Sequence, residues 1–207
     1  MTDFTTTWET LEAVHRQMDG CRLCLEAGFQ ITPPAVYSGA SEARIMIVGQ
    51  APGITECQAG RPFNAGSGTR LFAWLAGAGI EEGWFRHTQY MTSITKCYPG
   101  KGSGGSGDRV PSRREQTLCR PYLEGEIEFV DPELIIPVGR LAIGRFFPAN
   151  PPLEEIVGTR ARIDGRWIVP LPHPSGASRW HQIPANRERI ETAVRLIRET
   201  VEAELTV

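Results

Sequence analysis

Hydrophobic positions along the chain form short continuous runs that alternate with longer amphipathic stretches. The runs have the length and β-branched content of buried strands, and they lie at 45–48, 90–95, 134–138 and 167–171. Elsewhere, hydrophobic residues recur every three or four positions, which predicts helices over 4–18, 69–80, 113–130, 139–147 and 185–205. Strands that alternate with helices are typical of a sheet covered on both faces. The pattern therefore predicts one α/β/α sandwich over residues 1–207, built on a parallel sheet.

The first strand leads into the segment on which the functional hypothesis depends. Residues 45–48 end at Gly49, and 50–53 (QAPG) form a tight turn whose glycines let backbone approach a ligand closely. Residues 60–63 (GRPF) then place an aromatic side chain on a second rigid turn. This layout is typical of a pocket at the carboxyl end of a parallel sheet, although an ordinary strand-to-helix connection has the same form.

Length and charge restrict the class of protein. The 207 residues are 41% hydrophobic, enough for one domain with a core, and none of the apolar runs approaches the roughly 18 residues of a membrane helix. The N-terminus lacks the basic start and apolar centre of a secretion signal, which predicts a cytoplasmic protein. A net charge of −2 argues against a protein that coats nucleic acid by bulk charge, but leaves a local basic face open.

Five cysteines in a protein expected in the cytoplasm favour a metal site over disulfides. Cys21 and Cys24 form a C-x-x-C pair at the end of the first predicted helix, and Cys97 and Cys119 follow far downstream. Spacing alone suits zinc and an iron–sulfur cluster about equally.

Residues 49–63, GQAPGITECQAGRPF, are similar to the first motif of the uracil-DNA glycosylase superfamily, and most of all to its family 4. The resemblance continues in chain order at 95–97 (TKC), 119–123 (CRPYL), 137–140 (PVGR) and 173–175 (HPS). It implies a three-layer α/β/α sandwich with a four-stranded parallel central sheet. It also implies a monomeric enzyme that flips uracil out of DNA and excises it by hydrolysis, leaving an abasic site.

The same resemblance implies a [4Fe-4S] cluster. The family binds it through an N-terminal C-x-x-C and through cysteines in KC and CRP contexts, which correspond here to Cys21, Cys24, Cys97 and Cys119. Cys57 lies in the pocket loop and is interpreted as a non-ligand. The expected role of the cluster is to fasten the N-terminal helix and the glycine-rich, mobile loop at 99–112 to the sheet.

Base excision requires a stacking aromatic, hydrogen bonds to the base and stabilisation of charge on the departing base. The resemblance assigns stacking to Phe63 and charge stabilisation to His173, which two prolines hold rigidly. The loop after His173 is expected to enter the DNA minor groove, with DNA contacts from Ser175, Gly176, Ser178 and Arg179. Arg179 or Trp180 would fill the space left by the flipped nucleotide.

Two positions depart from family 4. Gln50 replaces a glutamate, and an amide cannot act as a general base, so Gln50 is expected to orient water or substrate while Glu56 is the candidate base. Ser93 replaces an asparagine that reads the base edge, a contact that Asn64 could take over. The predicted substrate contacts are therefore Gln50, Ala51, Gly53, Phe63, Asn64 and Ser93.

The departures keep two other functions open. The first is a glycosylase of the same fold for another deaminated base, such as hypoxanthine or xanthine. The second is a catalytically silent iron–sulfur protein that binds DNA. Covalent trapping of DNA is not expected, because the span 99–112 contains no histidine.

Overall fold

The chain is organised around a five-stranded sheet in a computed structural model that describes residues 8–102, 107–176 and 178–205. The strands are β1 (Ile45–Gly49), β2 (Tyr90–Ser93), β3 (Leu134–Pro137), β4 (Ala161–Ile163) and β5 (Arg166–Ile168). Their order across the sheet is β2-β1-β3-β5-β4. Strands β1, β2, β3 and β5 run parallel, and β4 pairs antiparallel with β5 at the edge.

Helices cover both faces of this sheet. They are α1 (Leu11–Asp19), α2 (Leu23–Glu26), α3 (Ile54–Ala59), α4 (Gly66–Ala76), α5 (Glu82–Thr88), α6 (Arg113–Val130), α7 (Arg140–Phe146), α8 (Leu153–Ile156) and α9 (Pro184–Glu204). Each face has its own apolar core, because successive residues of a strand point to opposite sides. From β1, Ile45 and Ile47 join the core that includes α4 and α9, whereas Met46 and Val48 join the core that includes α6. The predicted α/β/α sandwich is confirmed.

The predicted four-stranded, all-parallel sheet is wrong by one strand. Strand β4 forms a hairpin with β5 through a two-residue turn, in which Asp164 and Gly165 have φ angles of 49° and 82°. Asp-Gly is favoured in such turns because both central residues need a positive φ. The dipeptide between two alternating stretches was the available signal for this extra strand. The hairpin forms the edge of the sheet opposite to β2.

Helix boundaries differ from the prediction at both kinds of terminus and in short connections. Helix α4, predicted over 69–80, begins at Gly66 and ends at Ala76. Helix α1 begins at Leu11 because the Thr10 hydroxyl caps it by accepting from the Ala13 amide at 3.2 Å; the predicted start at 4–7 lies outside the described residues. Helix α6 spans the predicted 113–130 and begins with a reciprocal capping box between Ser112 and Glu115. Helices α3, α5 and α8, each of seven residues or fewer, were not predicted.

Other predictions on the chain's organisation stay open. Of the glycine-rich loop at 99–112, residues 103–106 lie outside the described part, so its predicted mobility stays a prediction. The single domain over 1–207 and the monomeric state also stay predictions. In the described part of the chain, no helix combines the length and the hydropathy needed to cross a bilayer.

Candidate functional site

A cleft of about 770 Å³ opens where β1 and β2 end and the following turns begin. Ten of the residues predicted for the site line it: Gln50, Ala51, Gly53, Glu56, Phe63, Ser93, His173, Ser175, Gly176 and Ser178. Asn64 and Arg179 do not belong to the lining. The position agrees with the rule that ligands of parallel sheets bind beyond the carboxyl ends of the strands.

Phe63 is held in the cleft by a strained backbone and a partly buried arginine. Its φ is 50°, a left-handed conformation that is uncommon for an aromatic residue and that tends to occur at functional sites. The Arg86 guanidinium donates to the carbonyl oxygens of Pro62 (2.9 Å) and Phe63 (2.7 Å), and it is paired with Glu82 at 2.7 Å. Arg86 therefore fixes the turn that presents the Phe63 ring, and no periodicity or motif in the sequence indicated this.

A glycine in β1 lets the Phe63 ring approach the sheet. A Cβ atom on Gly49 would lie 3.0 Å from Phe63 Cζ, closer than ordinary van der Waals contact. The ring consequently lies directly over the end of β1, where a base entering the cleft could stack on it.

His173 presents a neutral imidazole of defined tautomer. Burial lowers the pKa of His173, an effect that the nearby Glu56 carboxylate partly opposes. The Ser175 amide donates to His173 Nδ1 at 3.2 Å, so in the neutral ring the proton is on Nε2. The side chain can therefore donate one hydrogen bond from Nε2.

The His173 ring packs against a glycine at the end of β3. Gly139 has a φ of 86°, and a Cβ atom there would lie 3.2 Å from both Cβ and Cδ2 of His173. Its amide donates to the Leu171 carbonyl at 2.9 Å, which joins the two loops. The 137–140 motif thus has a physical function, because only glycine provides both the conformation and the space that His173 needs.

Glu56 and Gln50 both line the cleft but have different surroundings. The Glu56 side chain is 8% exposed; its Oε1 accepts from the Asn64 amide at 3.2 Å and its Oε2 accepts from the Thr55 hydroxyl at 3.0 Å. The carboxylate thereby links α3 to the turn that follows it. Gln50 is anchored through its backbone carbonyl, which accepts from the Thr95 amide at 3.3 Å.

The two candidates for reading the base edge are engaged within the protein. The Ser93 hydroxyl donates to the Thr95 carbonyl at 2.8 Å, so toward a ligand its oxygen can act only as an acceptor. The Asn64 side-chain oxygen accepts from Arg61 Nε at 2.9 Å, outside the cleft lining.

In the loop after His173, Trp180 is held by hydrogen bonds, whereas the Arg179 side chain is not. Trp180 Nε1 donates to Glu154 at 2.5 Å, and the Trp180 carbonyl accepts from Asn186 at 3.0 Å. Among residues 8–102, 107–176 and 178–205, the exposed Arg179 guanidinium has neither a hydrogen bond nor an ion pair. Of the two residues predicted to fill the space left by a flipped nucleotide, only Arg179 could move without breaking hydrogen bonds to other described residues.

A carboxylate that sequence reasoning missed also lines the cleft. This residue is Asp108, which lies in the glycine-rich loop and pairs with Lys101 in an antiparallel β-bridge. A loop position in low-complexity sequence gave no signal for it.

The four cysteines predicted as ligands line one cavity on the other side of the 95–99 segment. The cavity is bordered by Cys21, Cys24, Cys97 and Cys119 and by mainly apolar neighbours such as Leu23, Ile31, Pro99 and Leu118. The Lys96 amide donates to Cys119 Sγ at 3.4 Å, a contact typical of ligand sulfurs. Cys57 is outside this lining, although its effect on the pKa of Cys97 shows that it is near.

Within the described residues, no three His, Cys, Asp or Glu side chains converge closely enough to hold a single metal ion. Four thiols that border one cavity match in number the ligands of a polynuclear cluster. Burial raises the pKa of Cys24 to about 11 and the pKa values of Cys97 and Cys119 to about 12. Cluster binding would therefore release protons from these thiols.

A buried ion pair lies between the cysteine cavity and the cleft. The Lys96 and Glu126 side chains are 1% and 0% exposed, and Lys96 Nζ lies 2.5 Å from Glu126 Oε2. Lys96 also donates to the Thr92 hydroxyl and the Ser93 carbonyl, both at 2.6 Å. Glu126 accepts further hydrogen bonds from Tyr90 and Thr92. All charged atoms are thus satisfied, as buried charges require.

Comparison with known proteins adds independent evidence. A family model described as "Uracil DNA glycosylase superfamily" matches residues 36–197. The "Type-4 uracil-DNA glycosylase" of Thermotoga maritima is 28% identical over 176 residues, which cover 82% of this chain and 84% of that protein. Proteins of the same name from Sulfurisphaera tokodaii (32% identical, 64% of this chain, 56% of that one) and Pyrobaculum aerophilum (31%, 73% and 68%) are also similar.

These matches confirm the family that the sequence motifs indicated. The family match covers most of the chain and includes both walls of the cleft. This chain belongs to the uracil-DNA glycosylase superfamily.

Proposed function

We propose that this protein is a monofunctional DNA glycosylase that excises uracil from DNA by hydrolysis and leaves an abasic site. The observation that carries the proposal is the partly buried, neutral His173, whose Nδ1 accepts a backbone hydrogen bond and whose Nε2–H therefore remains free to donate within the cleft. Relatives named Type-4 uracil-DNA glycosylase support the choice of substrate.

The proposed reaction begins with base capture. A uracil turned out of the helix stacks on Phe63 over the end of β1, while the backbone amides of Ala51 and Gly53 and the side chains of Gln50 and Ser93 contact its edge. As the glycosidic bond opens, its electron pair passes to the base. The Nε2–H of His173 donates to the base carbonyl and stabilises that negative charge. A water molecule then forms the new bond to the anomeric carbon.

DNA is proposed to be held by the loop that begins at His173. Ser175, Gly176 and Ser178 line the cleft mouth, and the unfastened Arg179 can enter the space left by the flipped nucleotide. We also propose that the protein acts on DNA as a monomer and that it does so in the cytoplasm.

A cleavage assay on labelled oligonucleotides tests the function directly. Strands with one uracil, hypoxanthine or xanthine are incubated with the protein and then treated with alkali, which breaks DNA at abasic sites. We expect cleavage at uracil. Cleavage only at a purine would favour the enzyme for another deaminated base, and binding of DNA without cleavage would favour the silent DNA-binding protein.

Replacing Phe63 by alanine is expected to weaken capture of the base by about 1–3 kcal/mol, the usual scale of one base–aromatic stack. Binding of uracil-containing DNA, measured by fluorescence anisotropy, should weaken correspondingly, while binding of the same strand without uracil should change little. Phe146, a partly buried aromatic of the opposite core, provides the control: Phe146→Ala should affect stability without this base-dependent difference. Equal losses on both DNAs in Phe63→Ala would contradict the stacking role.

We further propose that Cys21, Cys24, Cys97 and Cys119 hold a [4Fe-4S] cluster. The cavity that they share and the amide donated to Cys119 fit such a group. When bound, the cluster would supply a cross-link between the N-terminal segment, the 95–99 segment and α6. The hydrolysis assigned to the cleft requires no electron transfer.

Anaerobically purified protein should therefore be brown and should contain about four irons per chain, the count of the proposed cluster. Cys97→Ala should lose iron and visible absorbance and should melt at a lower temperature, because one ligand and the cross-link are removed. Cys57 lies outside the cavity lining, so Cys57→Ala should keep its iron and its visible absorbance. Stoichiometric zinc without iron would contradict the cluster assignment.

A further inference from the structure

We propose that Asp108 is the carboxylate that activates the attacking water, an inference that rests on the glycosylase function proposed above. Hydrolysis needs a group that accepts a proton from water as the oxygen bonds to the anomeric carbon. Gln50 cannot accept a proton, because its side chain is an amide. The acceptor must therefore be one of the carboxylates that line the cleft, and two of them lie at the 50–53 turn: Glu56 and Asp108.

Both carboxylates lie against the same backbone position of this turn. A Cβ atom on Gly53 would be 2.6 Å from Glu56 Oε2 and 3.1 Å from Asp108 Oδ2. Glycine at this position lets both carboxylates approach the backbone of the turn, because a side chain here would clash with them. A water molecule bound by Asp108 Oδ2 on the cleft side would therefore lie beside the turn that is expected to contact the substrate.

Hydrogen bonding distinguishes the two carboxylates. Both oxygens of Glu56 already accept bonds from Asn64 and Thr55, and its side chain is buried. Asp108 is instead held through one oxygen: Oδ1 accepts from the Tyr98 hydroxyl at 3.0 Å and lies 3.6 Å from Lys101 Nζ. Among the described residues, Asp108 Oδ2 has no hydrogen-bond donor. It is therefore oriented toward Gly53 and available to water.

The loop that carries Asp108 is fixed at its base. The Gly102 amide donates to Gly107 at 3.0 Å, and the Arg109 amide donates to Gly100 at 2.9 Å. Arg109 is in turn paired with Glu115 at 2.6 Å, at the start of α6. The side chain of Asp108 is 33% exposed, so a proton that it accepts can pass to solvent.

The chemical step then balances. The water oxygen forms a bond to the anomeric carbon as the carbon–nitrogen bond breaks, and the electron pair of that bond leaves with the base, which His173 stabilises. The second proton of the water oxygen moves to Asp108 Oδ2. The products are the abasic sugar and uracil, with the accepted proton released to solvent or to the base.

The test compares Asp108→Asn with wild-type protein under single-turnover conditions, with DNA binding measured in parallel. We expect the excision rate to fall by about 10²-fold, the lower end of what a positioned general base contributes. Affinity for uracil DNA should stay equal or increase, because the substitution removes a negative charge beside a polyanion. Glu128→Gln, the same loss of charge on an exposed position of α6, should change neither quantity.

A second variant separates water activation from a role in folding. Tyr98→Phe keeps the carboxylate but removes one group that orients it, so the rate should fall by a smaller factor with affinity retained. An unchanged rate in Asp108→Asn overturns the inference, and so does a rate that falls only in step with DNA affinity. Wild-type protein that fails to excise uracil would instead overturn the proposed function, and the two failures are distinguishable.

Discussion

His173→Ala is expected to lower the single-turnover rate of uracil excision by about 10²–10³, the loss observed when one preorganised donor to a developing negative charge is removed. The donor is preorganised because the Ser175 amide fixes the tautomer and Gly139 fixes the position of the ring. DNA affinity should change little, since the charge that His173 stabilises develops only as the bond breaks.

The pH dependence of this loss follows from the environment of His173. Burial lowers its pKa, so the neutral donor persists as pH falls from 8 to about 6.5, the value at which an ordinary histidine is half protonated. The ratio of wild-type to His173→Ala rates should therefore stay constant across that range. His87→Ala, at an exposed position of α5, is the matched control and should keep the wild-type rate. A ratio that collapses near pH 6.5 would contradict the neutral donor.

Glu126→Met is expected to reduce the free energy of unfolding by about 3–5 kcal/mol, because it leaves the Lys96 ammonium buried without its counter-charge. Lys96 would keep only the Thr92 hydroxyl and the Ser93 carbonyl as partners. Denaturant titration of the variant and of the wild-type protein, purified in the same way, gives the measurement.

The double variant Lys96→Met/Glu126→Met separates the ion pair from simple packing. Two methionines remove both buried charges at similar volume, and such replacements are often neutral or stabilising. We expect the double variant to be clearly more stable than Glu126→Met. Equal instability of the two would mean that the cost lies in the shape of the core and not in an uncompensated charge.

The parallel core of the sheet could be predicted because it depends on local pattern. Residues 45–48 are apolar without interruption, as strands buried on both faces are, and the structure places β1 at the centre of the parallel part. The short helices α3, α5 and α8 were not predicted, since at most two turns give only a weak period, although α7, also of seven residues, was predicted.

The candidate site was predictable only where a motif carries it. Phe63 lies at the turn after α3 and His173 follows β5, and both stand in recognisable motifs, so the sequence indicated them. Arg86 and Asp108 act through partners that are distant along the chain, Phe63 and Gly53 respectively, and such contacts arise only when the loops fold together. The sequence also suggested Asn64 as a base contact, whereas in the structure its amide oxygen accepts a local hydrogen bond from Arg61, three residues earlier, and Asn64 does not line the cleft.

The segment from Ser93 to Pro99 forms one side of both the cleft and the cysteine cavity, and Pro99 lines the two at once. The number of residues in this segment is constrained at both ends. Ser93 ends β2 inside the cleft, and Cys97 lines the cavity together with the other thiols. A residue inserted between them would displace Ser93 in the cleft, Cys97 in the cavity, or both. The shapes of the cleft and of the cysteine cavity therefore depend together on the length of this one segment.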